Sequence, residues 1–244
     1  MVNNNLFDLE VLPEWATRPI AVFDLETTGL NLVTSRIVTA CALKLDPAGN
    51  IMGNPVEWLA NPSVPIPPEA SAVHGVTDEI AQSKGADLGE TVASIITTIK
   101  GFLDEGTPVV AYNAPYDFTI LRQHAEDFGI EWPLDPKPIL DPLVLDKALV
   151  KFRTGKRRLE IIAPVYGVVL TDAHNATADA VAAGRVAQAM ARQFGSKLDM
   201  SLDELHAKQV AWSREQDLSF ADFMHRQGKT DFSPTIGWPE KPRA

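Results

Sequence analysis

Apolar positions along this 244-residue chain follow two rhythms. In the first sixty residues they run together or alternate, as strands require: "PIAVFD" (19–24), "SRIVTACALKL" (35–45) and "NIMGNPVEWLA" (50–60). The first run is apolar on both faces, which marks a strand buried on both sides. "DPAGN" (46–50) reads as a hairpin turn between the second and third runs. "NPSVPIPPEA" (61–70) reads as loop, because its prolines fix φ and remove donors. Further on the period becomes helical. Val92, Ile95, Ile96, Ile99, Phe102 and Leu103 predict one helix, stopped by Gly106. "TPVVAY" (107–112) predicts a fourth strand, and 115–128 a helix with Phe118, Leu121, Ala125 and Phe128 on one stripe. "PIL" (138–140) predicts a short fifth strand, with helices at 142–149, 158–166 and 175–193. Pro164 should kink or shorten the second of these.

Strands first, then strands alternating with helices, imply an α/β domain whose mixed sheet is covered on both faces. The domain runs over 19–195, after an N-terminal arm at 1–18. Beyond it the character changes. Ser201 and Glu204 form a capping box that starts a helix carrying Leu202 and Leu205. A second box, Ser219 to Asp222, predicts another helix, ended by Gly228 before the irregular tail "TDFSPTIGWPEKPRA". This helical extension, 196–244, is expected to pack on the core. Its Trp212, Phe220, Phe223 and Trp238 also suit the docking of a polymerase or another protein.

Composition narrows the function classes. No apolar run approaches the ~18–20 residues that span a bilayer, and "MVNNNLFDLEVLPEW" shows neither a basic leader nor an apolar h-region. The single cysteine, Cys41, excludes an internal disulfide framework. A cytoplasmic protein without membrane contact is the expectation. The net charge of −10 argues against coating nucleic acid non-specifically, though not against a cleft for a few nucleotides.

Two acids interrupt the most buried strand. Alternation places Ile20, Val22, Asp24 and Glu26 on one face, so both carboxylates emerge together at the strand's C-terminal end, a usual ligand position in α/β sheets. Asp117 opens the helix after the fourth strand. Asp179 shares a helical stripe with Ala183, Val186 and Met190, and so faces inward. Singly, each acid has an ordinary role as a helix N-terminal charge or an exposed turn residue. Together they stand where one crevice collects them, and four converging carboxylates repel one another unless cations hold them. Oxygen ligands without Cys or paired His select Mg²⁺ or Mn²⁺ over zinc. His174, five positions before Asp179, becomes a catalytic candidate by its place.

"FDLETTGL", "AYNAPYDFTIL" and "HNATADA" resemble the three motifs of the DEDDh (DnaQ-like) 3′→5′ exonucleases, a family with a ribonuclease H-like fold that includes the proofreading epsilon subunit of bacterial DNA polymerase III. The likeness extends through "NPSVPIPPEASAVHGVTDE" and "ILDPLVLDK", over roughly 19–193. It implies a mixed five-stranded sheet flanked by helices. It also implies that Asp24, Glu26, Asp117 and Asp179 hold two divalent ions that clamp the scissile phosphate, with His174 as general base. The product would be a 5′-mononucleotide. Thr27, Thr28 and Gly29 would let the backbone approach the terminal nucleotide, His74 would lie beside its base or sugar, and Asn113 near the second nucleotide. Tyr112 and Tyr116 depart from the family, where His and Phe are commoner. DNA, in repair or proofreading, is the favoured substrate. The alternative is an exoribonuclease trimming RNA ends, and a non-catalytic nucleic-acid-binding module is a remote third. Finally, "KFRTGKRR" (151–158) concentrates Lys151, Arg153, Lys156, Arg157 and Arg158 in an acidic chain. A phosphate grip by Lys156, Arg157 and Arg158 is the expectation.

Overall fold

The computed structural model describes residues 11–133, 135–171 and 173–243; the first ten residues of the N-terminal arm lie outside them. Strands β1 (Ile20–Thr27), β2 (Ile37–Leu45), β3 (Ile51–Leu59), β4 (Val109–Val110) and β5 (Ile139–Leu140) form one sheet in the order β3-β2-β1-β4-β5. The first three are antiparallel neighbours, while β4 and β5 run parallel to β1. Helices α1 (Pro68–His74), α2 (Asp78–Lys84) and α3 (Leu88–Asp104) precede β4, and α4 (Ala114–Phe128) follows it. After β5 come α5 (Pro142–Leu149), α6 (Leu159–Val165), α7 (Ala176–Gln193), α8 (Gly195–Leu198) and α9 (Leu202–Arg226).

The alternation in β1 divides the core as expected. Ile20 and Val22 join a cluster with Ala183, Val186 and Met190 of α7. Ala21, Phe23 and Leu25 join the opposite cluster with Val92, Ile95 and Ile99 of α3 and Phe118 and Leu121 of α4. Asp24 and Glu26 therefore leave the sheet on the α7 side. That helix sits close because it is small where it touches: a Cβ on Gly184 would lie 2.4 Å from Val22 Cγ1 and 2.7 Å from Leu45 Cδ1. The hairpin at 46–50 is pinned by Asp46, whose Oδ1 accepts from the Ala48 and Asn50 N–H groups at 2.9 Å.

Several expectations change. The segment read as loop at 61–70 already turns helical at Pro68, because Pro67 and Pro68 take the N-cap and first helical position, where no intrahelical N–H is needed. The fourth strand shrinks to Val109–Val110, since the ladder holds only there and Asn113 (φ 65°) turns the chain into α4. Phe128 was expected on the apolar stripe of α4, but it lies in the last turn and is half exposed. The second C-terminal helix start is wrong. Ser219 and Asp222 sit inside the continuous 25-residue α9, because no Gly or Pro interrupts 202–226 and a capping pattern without a break cannot start a helix. Pro164 lies inside α6, which runs past it to Val165, so the helix is not broken at the proline.

The α9 helix covers the outer edge of β5. Gln209 Nε2 donates to Ile139 O at 3.0 Å, Gln209 Oε1 accepts from Asp141 N at 2.7 Å, and His206 Nδ1 accepts from Ile139 N at 3.1 Å. Side chains thus satisfy backbone groups that an edge strand leaves open. The tail returns over α4: Glu240 pairs with Arg122 at 2.7 Å, and Trp238 is buried beside His206. Among the described residues, no helix is long and apolar enough to cross a membrane.

Candidate active site

The C-terminal end of β1 gathers the predicted acids. A register shift in the β1–β2 ladder between Glu26 and Thr27 ends regular pairing at this point. Asp117, in the first turn of α4, is buried, and its Oδ1 accepts from the Leu25 N–H at 3.1 Å. This bond ties α4 to β1 between the two strand acids. Asp179, in the first turn of α7, comes from the same side as Glu26. One ligand atom each from Glu26, His174 and Asp179 lies within 4.8 Å of the others. His174 is exposed, holds a left-handed backbone (φ 70°) and donates its N–H to Asp179 Oδ2 at 3.0 Å. That strained corner sits directly before the Asn175 cap, whose Oδ1 accepts from the Thr177 and Ala178 N–H groups.

Electrostatics identify the acids as one unit. Burial, then the charges of Asp117, Glu26 and Asp179, holds the Asp24 carboxyl well above its usual range. Burial and Asp179 push Glu26 up to about 8. Asp117 is also raised, by burial foremost, although the Leu25 N–H opposes the shift. An all-oxygen set with one imidazole fits a hard divalent ion.

The remaining predicted residues divide. Thr27 Oγ1 donates to Gly29 O at 2.7 Å, and Thr28 Oγ1 accepts from the Arg36 N–H at 2.9 Å, so both hydroxyls shape the turn after β1. His74, ending α1, lies against this turn: burial lowers its pKa and the Thr27 backbone opposes that shift. Asn113 is exposed at the corner before α4. Lys156 is exposed, and Arg158 pairs with Glu160 at 2.7 Å. The Arg157 guanidinium instead turns inward, onto the fully buried Asp146 and Val150 O.

Sequence reasoning missed two contributors. Asp141 accepts from the Asn113 and Ala114 N–H groups at 2.9 and 3.0 Å, and so fixes the start of the helix that carries Asp117. Its only signal was the Asp-Pro pair, which reads as a cap for α5. The Tyr116 hydroxyl donates to Gly29 O at 2.7 Å and also meets Thr27 Oγ1, a role its ring alone does not suggest.

A mixed five-stranded sheet flanked by helices, with carboxylates at the C-terminal end of its central strand, is a ribonuclease H-like fold. The model of the RNase_T family, described as "Exonuclease", matches residues 21–187, and the chain belongs to this family. It is 30% identical over 164 residues to a DNA polymerase III subunit epsilon-like protein of Rhodobacter capsulatus, covering 66% of this chain and 22% of that one. It is 38% identical over 120 residues to an uncharacterized exonuclease, CP81, of Escherichia phage 186, covering 48% and 55%. Its fold matches E. coli exonuclease I in complex with a dT13 oligonucleotide, at a TM-score of 0.62 and 22% identity over 75% of this chain and 43% of that one. The chain thus spans about half or less of the length of these relatives.

Proposed function

We propose that this chain is a two-metal 3′→5′ exonuclease that releases 5′-mononucleotides from DNA ends in repair or proofreading. The observation that carries the reading is the meeting of Glu26, His174 and Asp179 within 4.8 Å, beside Asp24 and Asp117. Asp24, Glu26, Asp117 and Asp179 would hold the ions, Mg²⁺ or Mn²⁺. Bound there, such ions supply positive charge to the scissile phosphate and make an attacking water more acidic. His174, at the exposed rim, would take that water's proton on a ring nitrogen. Its backbone bond to Asp179 keeps the imidazole beside the acids. The Thr27–Gly29 turn and His74 would receive the terminal nucleotide, and Asn113 the next one. Lys156 and Arg158 would attract phosphates, with Arg157 anchoring their loop.

The relatives' names, a polymerase epsilon-like protein and an exonuclease crystallised with an oligothymidylate, favour DNA over RNA. The division into a catalytic region, 19–195, and a packed extension, 196–244, belongs to this reading, with a protein partner through the extension's exposed Phe220 and Phe223. The test is degradation of 3′-labelled single-stranded DNA, duplex DNA and RNA in Mg²⁺, Mn²⁺, Ca²⁺ or EDTA. Release of labelled mononucleotide from DNA in Mg²⁺ or Mn²⁺ is expected. Full activity in EDTA would defeat the metal reading, and a preference for RNA would defeat the DNA assignment.

A further inference from the structure

The loop between α5 and α6 presents an aromatic ring that the fold does not use. Phe152 is 90% exposed, the most exposed of the large apolar side chains among the described residues. Leaving such a ring in water forgoes the gain of burying it, so its position calls for a reason.

The loop itself is not loose. Asp146, fully buried on α5, accepts from Arg153 Nη2 at 2.8 Å, from Arg157 Nη1 and from the Tyr166 hydroxyl at 2.6 Å. Arg157 Nη2 also donates to Val150 O at 2.8 Å. Gly155, at φ 89°, makes the reversal that brings the two arginines to one carboxylate. Anchoring both arginines inward leaves Phe152 outward between Lys151 and Lys156, which are exposed and, among the described residues, have no carboxylate partner. The loop's far end is fixed to the catalytic side of the sheet. The Tyr112 hydroxyl donates to Arg157 O at 2.5 Å, and Tyr112 follows β4 at the end where the parallel β1 releases Asp24 and Glu26.

A ring flanked by unpaired cations in an acidic chain matches one ligand chemistry: phosphates with uncovered base faces beside them. Duplex DNA hides those faces, and a single strand offers them. We infer that Phe152 is a stacking site for an unpaired base of a single-stranded DNA substrate, upstream of the scissile bond, with Lys151 and Lys156 on the flanking phosphates. The site rests on the nuclease reading for the direction of the strand. Stacking of this kind tolerates any base, so it supplies grip rather than sequence preference.

The test uses the full chain and a fluorescently labelled oligothymidylate whose 3′ linkages are phosphorothioates, so that binding is read without turnover. Phe152→Ala should weaken binding about tenfold, within the range of one lost base–aromatic stack. Phe152→Trp should restore it, and the strand should quench the added tryptophan emission. Walking a single abasic residue along the strand should locate one position whose loss matches that of Phe152→Ala and adds nothing to it. Affinity unchanged in Phe152→Ala, or additive losses at every abasic position, would overturn the site. Wild type that binds through Phe152 but degrades no DNA in Mg²⁺ would defeat the nuclease reading and leave the site standing. Active wild type with Phe152-independent binding would do the reverse.

Discussion

The buried Asp146 and the acids at the end of β1 are answered differently. Asp146 has its cations built in: Arg153 and Arg157 close on it, with Tyr166 supplying a third donor. At the end of β1, Glu26 meets His174 and Asp179 within 4.8 Å, and Asp24, Glu26 and Asp117 are held well above ordinary carboxylate pKa values, by burial first and by neighbouring carboxylates after it. A burial penalty on charge must be offset by some counter-charge. Where the chain provides it, the cluster fixes structure. At the end of β1, burial first and neighbouring carboxylates after it leave Asp24, Glu26 and Asp117 favouring the protonated form, and under the reading proposed above a divalent ion would offset the same penalty.

The sharpest way to separate the two is to remove one acid from each. Asp24→Ala should cut hydrolysis on the order of a thousandfold, about 4 kcal/mol of barrier. It should not weaken the metal-free fold, since it also removes a repelled charge, and in EDTA its melting temperature at neutral pH should equal or exceed wild type. Activity within tenfold of wild type would end the metal-ligand assignment. Asp146→Ala should show the opposite profile. Two guanidiniums lose their partner, so unfolding free energy should fall by roughly 3–5 kcal/mol. Turnover per folded molecule should change little. Denaturant melts paired with kcat measure both, and a stable Asp146→Ala protein would show that the arginines do not depend on it.

The comparison also has a pH signature. Glu26 rises from 4.5 to about 8 in the metal-free fold. A folded-state pKa above the unfolded one means that the folded protein binds the extra proton between those values. The stability this provides is fully present below about pH 4.5 and is lost as pH rises through about 8. In EDTA, the melting temperature should therefore fall over that window, and Mg²⁺ or Mn²⁺ should offset the fall by replacing the proton with a bound ion. Glu26→Gln should flatten the EDTA profile. A wild-type profile that ignores both pH and metal would contradict the raised Glu26 carboxyl.

How much of this the sequence carried depends on the range of the interaction. Alternation in 20–26 and the stripe through Asp179, Ala183, Val186 and Met190 are local, so the side on which Asp24 and Glu26 emerge and the inward face of α7 were legible. Asp146 was not, because its meaning lies in Arg153 and Arg157 folding back across a Gly155 reversal. The same arginines looked like a phosphate grip when read as charge alone. Asp141 caps the following helix by accepting from the Leu143 N–H, a local contact, yet it also fixes Asn113 and Ala114, 28 and 27 residues earlier. The Ser219–Asp222 pattern was legible and misleading: a capping signal specifies a start only where something ends the helix before it.

The smallest expected effect tests whether the turn after β1 belongs to the catalytic cluster or only borders it. Tyr116 immediately precedes Asp117, and its hydroxyl reaches back to Gly29 O and Thr27 Oγ1. Burial holds its pKa up to about 12, so the hydroxyl keeps its proton and remains a donor throughout the working range. Tyr116→Phe keeps the ring and removes only these bonds. A neutral hydrogen bond contributes about 1 kcal/mol net, so the turn should loosen without unfolding. If the turn serves to receive the terminal nucleotide, KM should rise about fivefold while kcat stays near wild type, because binding to ground and transition states weakens alike. If kcat falls instead at constant KM, the hydroxyl acts through Asp117 on the ion-holding cluster, and the boundary between turn and cluster is drawn in the wrong place. Steady-state kinetics of the variant on single-stranded DNA across a range of Mg²⁺ concentrations decide it. A kcat defect that excess Mg²⁺ repairs would assign Tyr116 to the metal-binding side of the comparison.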